Sequence, residues 1–217
     1  MHSKRGVPYN PFFLIPFIVW VVVGGMLLLV FDSKALFFAI NTHYNDTADT
    51  LFYYATWMGE GNVIVTVLVA LLLSPRFRNW WYVLTALFCN LIPFFLQQIL
   101  KVVFSTPRPF KYFHNASWIH YLYKWPYLSD KGFPSGHSEG AFSFFCFLSL
   151  LLPARYRAFG LIFFLLALFV CYSRIYLTAH FFADVYAGSI IGAAMTLLIF
   201  YIMNKYREAF FVKRNTT

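Results

Sequence analysis

Charge is what this sequence has least of. Asp, Glu, Lys and Arg make up 12% of the 217 residues, whereas 60% are hydrophobic. So little charge excludes disorder, and so much apolar surface excludes an ordinary soluble domain, so the composition points to a membrane protein. Acids are scarcer still: eight Asp and Glu face 17 Lys and Arg, a formal net charge of +9. The basic residues are scattered among apolar segments rather than massed on one polar face. That argues against nucleic acid as a partner and makes them topology signals and site residues. Cysteine is also rare. Cys89, Cys146 and Cys171 all lie inside apolar runs, the pattern of packing residues and not of a disulfide framework or a metal cluster. The chain lacks an internal repeat, a low-complexity tract and any break that would divide it, so residues 1–217 read as a single domain.

What the sequence does have is long apolar runs. A span needs about 20 mostly apolar residues, and six candidates appear: Phe12–Phe31, Leu51–Leu73, Trp80–Phe104, Ser138–Leu152, Ala158–Leu177 and Phe181–Met203. The expected fold is therefore all-α, a six-helix polytopic membrane protein. The second run is interrupted by Gly59-Glu60-Gly61-Asn62 and the fourth is short. The first follows Lys4 and Arg5 as a signal peptide would, but it is longer than a signal core and no small-residue cleavage site ends it. Lys and Arg placement sets the orientation. Lys4 and Arg5, Arg76 and Arg78, Arg155 and Arg157, and Lys205, Arg207, Lys213 and Arg214 all fall on one side of a six-span layout, which is then cytoplasmic, with both termini. Of the acids, only Glu208 falls there.

Lys101, Arg108 and Arg174 break the rule by falling at the outer ends of spans, as do His137, His180 and Asp184. Polar groups at membrane depth are costly and usually functional. Each cluster has a plain reading when taken alone. Lys101 can snorkel ahead of a Pro-rich turn, Ser135 can cap the helix after Pro134-Ser135-Gly136-His137, and His180 with Asp184 can be a buried structural pair. Taken together, two His, one Asp and three fixed cations converge at one depth. Three cations repel a divalent metal and favour a multivalent anion. Arg binds phosphate oxygens bidentately, Lys adds a point charge, and Gly136 lets backbone N–H groups approach. Four residues apart, His180 and Asp184 share a face in a helical stretch, so the carboxylate can fix the tautomer of the imidazole. Two His residues suit phosphoryl transfer, one attacking and one handling the leaving-group proton.

The stretches KVVFSTPRP, PSGH and SRIYLTAHFFAD resemble, in order and at every specified position, the three signature motifs of the type 2 phosphatidic acid phosphatase superfamily. The resemblance covers the catalytic half of the chain, and six spans suit its integral-membrane members. It implies His180 as the nucleophile that forms a phosphohistidine, Asp184 as its orienting carboxylate, and His137 as acid and then base. It implies Lys101, Arg108, Ser135, Gly136 and Arg174 as phosphate ligands, and neither a metal nor another cofactor. The family pattern leaves Glu139 unspecified, and it reads as an acid in a first helical turn.

The loop between the first two motifs carries Tyr112, Phe113, Trp118, Tyr121, Tyr123, Trp125 and Tyr127, expected at headgroup level on the membrane surface. A site at the bilayer lip makes a lipid phosphate the expected substrate. Within the family the candidates are phosphatidic acid, phosphatidylglycerol phosphate, undecaprenyl diphosphate and lipid A phosphates. The compact chain looks bacterial, hence an inner-membrane protein with a periplasmic site, where undecaprenyl diphosphate or lipid A presents its phosphate. No obligatory protein partner is evident. A lipid transporter or channel that only binds headgroups is the alternative from another class. Haloperoxidases share the motifs but are soluble. The sequons Asn45-Asp46-Thr47 and Asn115-Ala116-Ser117 would permit a lumenal eukaryotic protein, but sequons are frequent by chance.

Overall fold

The computed structural model describes residues 9–114, 116–122 and 125–207. Lys4, Arg5, Asn115, Tyr123, Glu208, Lys213 and Arg214, on which parts of the topology, sequon and loop readings rest, lie outside the described residues.

Helix starts follow local chemistry. Asn10 caps α1 (Pro11–Val30) by accepting from the Phe12 N–H at 3.0 Å, with Pro11 at the first helical position. Asp32 caps α2 (Ser33–Asn41) and Asn45 caps α3 (Asp46–Ala55) in the same way. Asn79 opens α5 (Trp80–Phe104), whose bounds coincide with the expected third span. A four-residue turn, α6 (Pro109–Tyr112), follows Arg108. Ser135 caps α7 (Gly136–Leu151), and α8 (Phe159–Tyr176) and α9 (Phe182–Lys205) complete the bundle.

Two expected spans differ from what is observed. The run Leu51–Leu73 is not one helix: α3, a 3₁₀ turn (Thr56–Gly59) and α4 (Gly61–Leu73) form a pair bent by 58° at Glu60. Gly on both sides of Glu60 weakens helix continuity there, and a broken span at membrane depth is tolerated where it lines a cavity. The fourth run forms a helix of 16 residues, about 24 Å long. It is enclosed by protein, with Ala141, Phe142, Phe144, Phe145, Cys146 and Phe147 all buried. By length and composition, four helices (α1, the long helix from Trp80, α8 and α9) can cross a membrane, or five with the bent pair. Their outward faces expose Ile15, Val19, Val22, Met26, Leu29, Phe95, Ile99, Ile162 and Leu198, as a lipid-facing surface requires. The chain is an all-helical membrane protein.

The core centres on α7, packed between α5, α8 and α9. Phe13, Phe142 and Phe164 meet edge to face with ring centroids about 6 Å apart. The backbones of α7 and α9 come very close. A Cβ added at Gly188 would lie 2.4 Å from the Ser135 carbonyl oxygen, and one at Gly192 would lie 2.3 Å from that of Glu139. The three cysteines are buried and unpaired, and Cys89 reaches the Thr196 carbonyl at 3.7 Å, in keeping with packing roles. The ends of the bundle differ. Lys101, His137, Arg174, His180 and Asp184 gather at one end, where α5 and α8 finish and α7 and α9 begin. Arg76, Arg78, Arg155, Arg157, Lys205 and Arg207 mark the other; there Asn10 Nδ2 donates to the carbonyls of Ser149 and Arg157, and Arg207 lies over Trp81.

Candidate active site

His180 sits in the short link between α8 and α9 and is 1% exposed. The link turns through Thr178, a β-branched residue in the left-handed region at φ 57°, where helices usually place Gly. Its hydroxyl donates to the His120 carbonyl at 2.8 Å and accepts from Asn41 Nδ2 at 2.9 Å. These bonds offset the roughly 1–2 kcal/mol such a conformation costs. His180 and Asp184 do not share a helical face as their spacing implied, because α9 starts at Phe182. Helix capping brings them together instead. Asp184, in the first turn, accepts from the Phe181 N–H at 3.0 Å, and the same Oδ2 lies 3.3 Å from His180 Nδ1.

At the opposite ring nitrogen, Arg108 Nη1 approaches His180 Nε2 at 3.3 Å. A guanidinium can only donate, so Nε2 accepts and the proton resides on Nδ1, facing Asp184. Burial, reinforced by Arg108, Arg174 and Lys101, holds His180 well below the usual imidazole range, and the ring is neutral at pH 7 with its Nε2 lone pair aimed at the cations. Arg108 is itself fixed by three carbonyls: its Nε donates to Asp130 at 3.0 Å, Nη1 to Ala179 at 3.3 Å and Nη2 to Lys131 at 3.4 Å.

The remaining expected residues arrive from three sides. Arg174, at the end of α8, is 4% exposed; its Nη1 donates to Thr56 Oγ1 at 2.6 Å and its guanidinium lies 5.4 Å from the centre of the Trp125 ring. Lys101 reaches the start of α7, where its Nζ would lie 3.5 Å from a Cβ at Gly136. Ser135 is fully buried and its Oγ accepts from the N–H and hydroxyl of Ser138, so the hydroxyl serves as the cap. The Ser135 N–H donates to the Asp184 carbonyl at 3.0 Å, tying this turn to α9. His137 is half-buried and shares a cavity of about 170 Å³ with Arg108, Arg174, Trp125 and Glu60. Glu139 is buried and accepts from Ser143 Oγ at 2.8 Å. Among the described residues no group of three or more His, Cys, Asp and Glu side chains has the arrangement to hold a metal ion.

The aromatic loop packs against the bundle. Phe113 and Trp118 pack against Phe37, Tyr127 stacks on Phe110, and Trp125 faces Arg174. Its His120 bonds Asp49 at 2.7 Å and stacks on Tyr44, which anchors the loop to α3.

Sequence reasoning missed three supporting residues. Thr56 orients Arg174, and Asn41 holds Thr178. Gln97, one turn below Lys101 and fully buried, donates to the Pro134 carbonyl at 2.9 Å. Gln97 carried a readable signal, a polar side chain on the face of an apolar run that also bears Lys101.

Comparison with known proteins identifies the family. The family model of the PAP2 superfamily matches residues 78–208, more than half the chain. An undecaprenyl-diphosphatase of Sulfolobus acidocaldarius is 30% identical over 190 residues, covering 86% of this chain and 85% of that protein. The undecaprenyl-diphosphatase BcrC of Bacillus subtilis is 25% identical over 161 residues, covering 73% and 77%. The crystal structure of Aquifex aeolicus LpxE superposes with a TM-score of 0.65 at 26% identity, covering 77% of this chain and 94% of that one. With its motifs assembled around one buried histidine, the chain belongs to the PAP2 superfamily of phosphatases and is a hydrolase acting on phosphate esters.

Proposed function

We propose that the protein removes phosphate from a membrane lipid by way of a phosphohistidine on His180, with undecaprenyl diphosphate as the preferred substrate. The observation that carries this reading is the pair of contacts on one ring: Asp184 at Nδ1 and Arg108 at Nε2, each at 3.3 Å. Nε2 attacks the terminal phosphorus as the bridging oxygen leaves on the lipid monophosphate, and Arg108, Arg174, Lys101 and the Gly136 backbone hold the equatorial oxygens. His137 gives its proton to the leaving oxygen and later takes one from the water that releases phosphate.

A lipid fits the surroundings. A cleft of about 350 Å³ leads to Lys101 and His137 between α4 and α5, walled by Ile64, Val65, Leu91 and Phe94. An apolar wall ending at a cationic pocket matches a chain joined to a phosphate. The names of the two relatives favour undecaprenyl diphosphate over the other lipid phosphates. Purified protein in detergent should release phosphate from it faster than from phosphatidic acid, phosphatidylglycerol phosphate or lipid A, undiminished by chelators and blocked by vanadate. Absence of release from all four, or release that chelation stops, would overturn this reading.

The site end of the bundle is proposed to face the periplasm of a bacterial inner membrane, with the Arg-rich end cytoplasmic, in accord with the bias of Lys and Arg. A cysteine replacing exposed Ser117 should react with an impermeant thiol reagent in intact cells, and one replacing exposed Arg78 should not. The buried native cysteines give little background. Equal labelling of both positions removes the orientation.

A further inference from the structure

The break at Glu60 lies outside both the three motifs and the matched residues 78–208. Yet the 3₁₀ turn and the Glu60 that follows it touch the proposed catalytic machinery at three points. Thr56 Oγ1 accepts from Arg174 Nη1 at 2.6 Å. Gly59 is pressed against the first turn of α7, so that a Cβ there would lie 2.7 Å from the His137 carbonyl oxygen. Next to it, Glu60 Oε1 stands 3.6 Å from His137 Nε2, an ion-pair distance, in the cavity that holds Arg108 and Arg174. The carboxylate is 47% exposed and the imidazole side chain 26%.

The reaction needs a charged imidazole where charge is least welcome. When water attacks the phosphohistidine, the bond from phosphorus to His180 Nε2 breaks and a water proton passes to His137. The resulting imidazolium forms in a cavity that already holds two guanidinium groups, with Lys101 beside it. The other acids near the site are engaged elsewhere, Asp184 with His180 and Phe181, Glu139 with Ser143. Glu60 is the acid placed at the ring of His137.

We propose that Glu60 is the positioning residue of His137: its carboxylate keeps a proton on Nε2, reserves Nδ1 for exchange with the leaving oxygen and water, and stabilises the imidazolium that enters the first half-reaction and is regenerated by the second. This rests on the reading of His137 as the acid. It repeats at the second histidine the device that Asp184 provides at the first, a carboxylate that selects the tautomer. The broken helix is what delivers it.

The test is the rate of phosphoenzyme formation after rapid mixing, using dodecyl phosphate, whose leaving oxygen needs a proton, and p-nitrophenyl phosphate, whose leaving group does not. Glu60→Gln should slow the reaction of dodecyl phosphate about 10- to 100-fold, less than the roughly 10²- to 10⁴-fold of losing an acid outright. It should leave that of p-nitrophenyl phosphate within about 2-fold, and Glu60→Asp should recover part of the rate. Combined with His137→Ala, Glu60→Gln should add no further loss. Equal slowing of both substrates, or a further loss in the double variant, would overturn the proposal, because a merely structural or binding role acts without regard to the leaving group. A His137→Ala variant that itself slows both substrates equally overturns instead the assignment of His137, and the two failures are told apart by the arm in which they occur.

Discussion

Replacing His180 with alanine should eliminate the phosphoenzyme and lower phosphate release by at least ~10⁴-fold, the scale on which loss of a nucleophile is felt. His137→Ala should behave differently although both residues are histidines in one site. On the proposed mechanism its nucleophile remains, with Asp184 on one side and Arg108 on the other, so the phosphohistidine should form slowly and then accumulate for want of a base to activate water. Slowing of about 10²- to 10⁴-fold is expected, most for a leaving group that needs protonation. Asp184→Asn should cost up to ~10⁴-fold, because an amide at this position can present N–H to Nδ1 and place the imidazole proton on the wrong nitrogen. Acid-labile, base-stable label after rapid mixing with a labelled lipid phosphate reads all three. Label trapped in His180→Ala and never in His137→Ala would reverse the assignments.

The second large effect is expected at Arg108. Arg108→Ala should lower kcat/KM by about 10³- to 10⁵-fold, the range set by arginines that neutralise a transferring phosphoryl group. It also strands the carbonyls of Asp130, Lys131 and Ala179, at roughly 1–3 kcal/mol for each carbonyl that water does not reach, so thermal stability must be followed alongside activity. Arg108→Lys separates the two contributions. A single ammonium cannot reproduce a planar fork that meets three carbonyls and the His180 ring. Its activity should therefore stay far below wild type even where the melting temperature largely recovers. Wild-type kcat/KM in Arg108→Lys would show that the fork is not what holds phosphate.

The sequence was most legible where a local signal coincided with a long apolar run. Asn79 before Trp80 and the Ser105-Thr106-Pro107 stop after Phe104 set both bounds of α5, and Ser135 capped α7 as its position implied. The residues of the three motifs were legible as a set because their chemistry made sense only in one place. Nine-residue α2 was not foreseen, since a short helix that leans on Phe113, Trp118 and Phe181 for support has little periodicity of its own. The bend at Glu60 appeared only as an interruption of an apolar run. Its meaning depends on contacts with Arg174 and His137, residues more than 70 positions away along the chain. Thr56 and Asn41 were invisible for the same reason: each supports the site through a tertiary hydrogen bond that no local pattern announces.

The close seating of Gly188 and Gly192 on α7 bears on how such an enzyme can change its diet. Backbone meets backbone there, and the Ser135 N–H is bonded to the Asp184 carbonyl, so His137 and His180, the two histidines proposed to act on phosphate, ride on what is mechanically one piece. The facing wall is different in kind. Beyond Gly61, the cleft is bounded in part by Val65, Leu91 and Phe94, exposed side chains that can be exchanged for larger or smaller ones with little effect on the packing of α7. Selection for a thicker or thinner lipid tail can thus act on the wall of α4 and α5 while the distance across which phosphorus is passed stays constant.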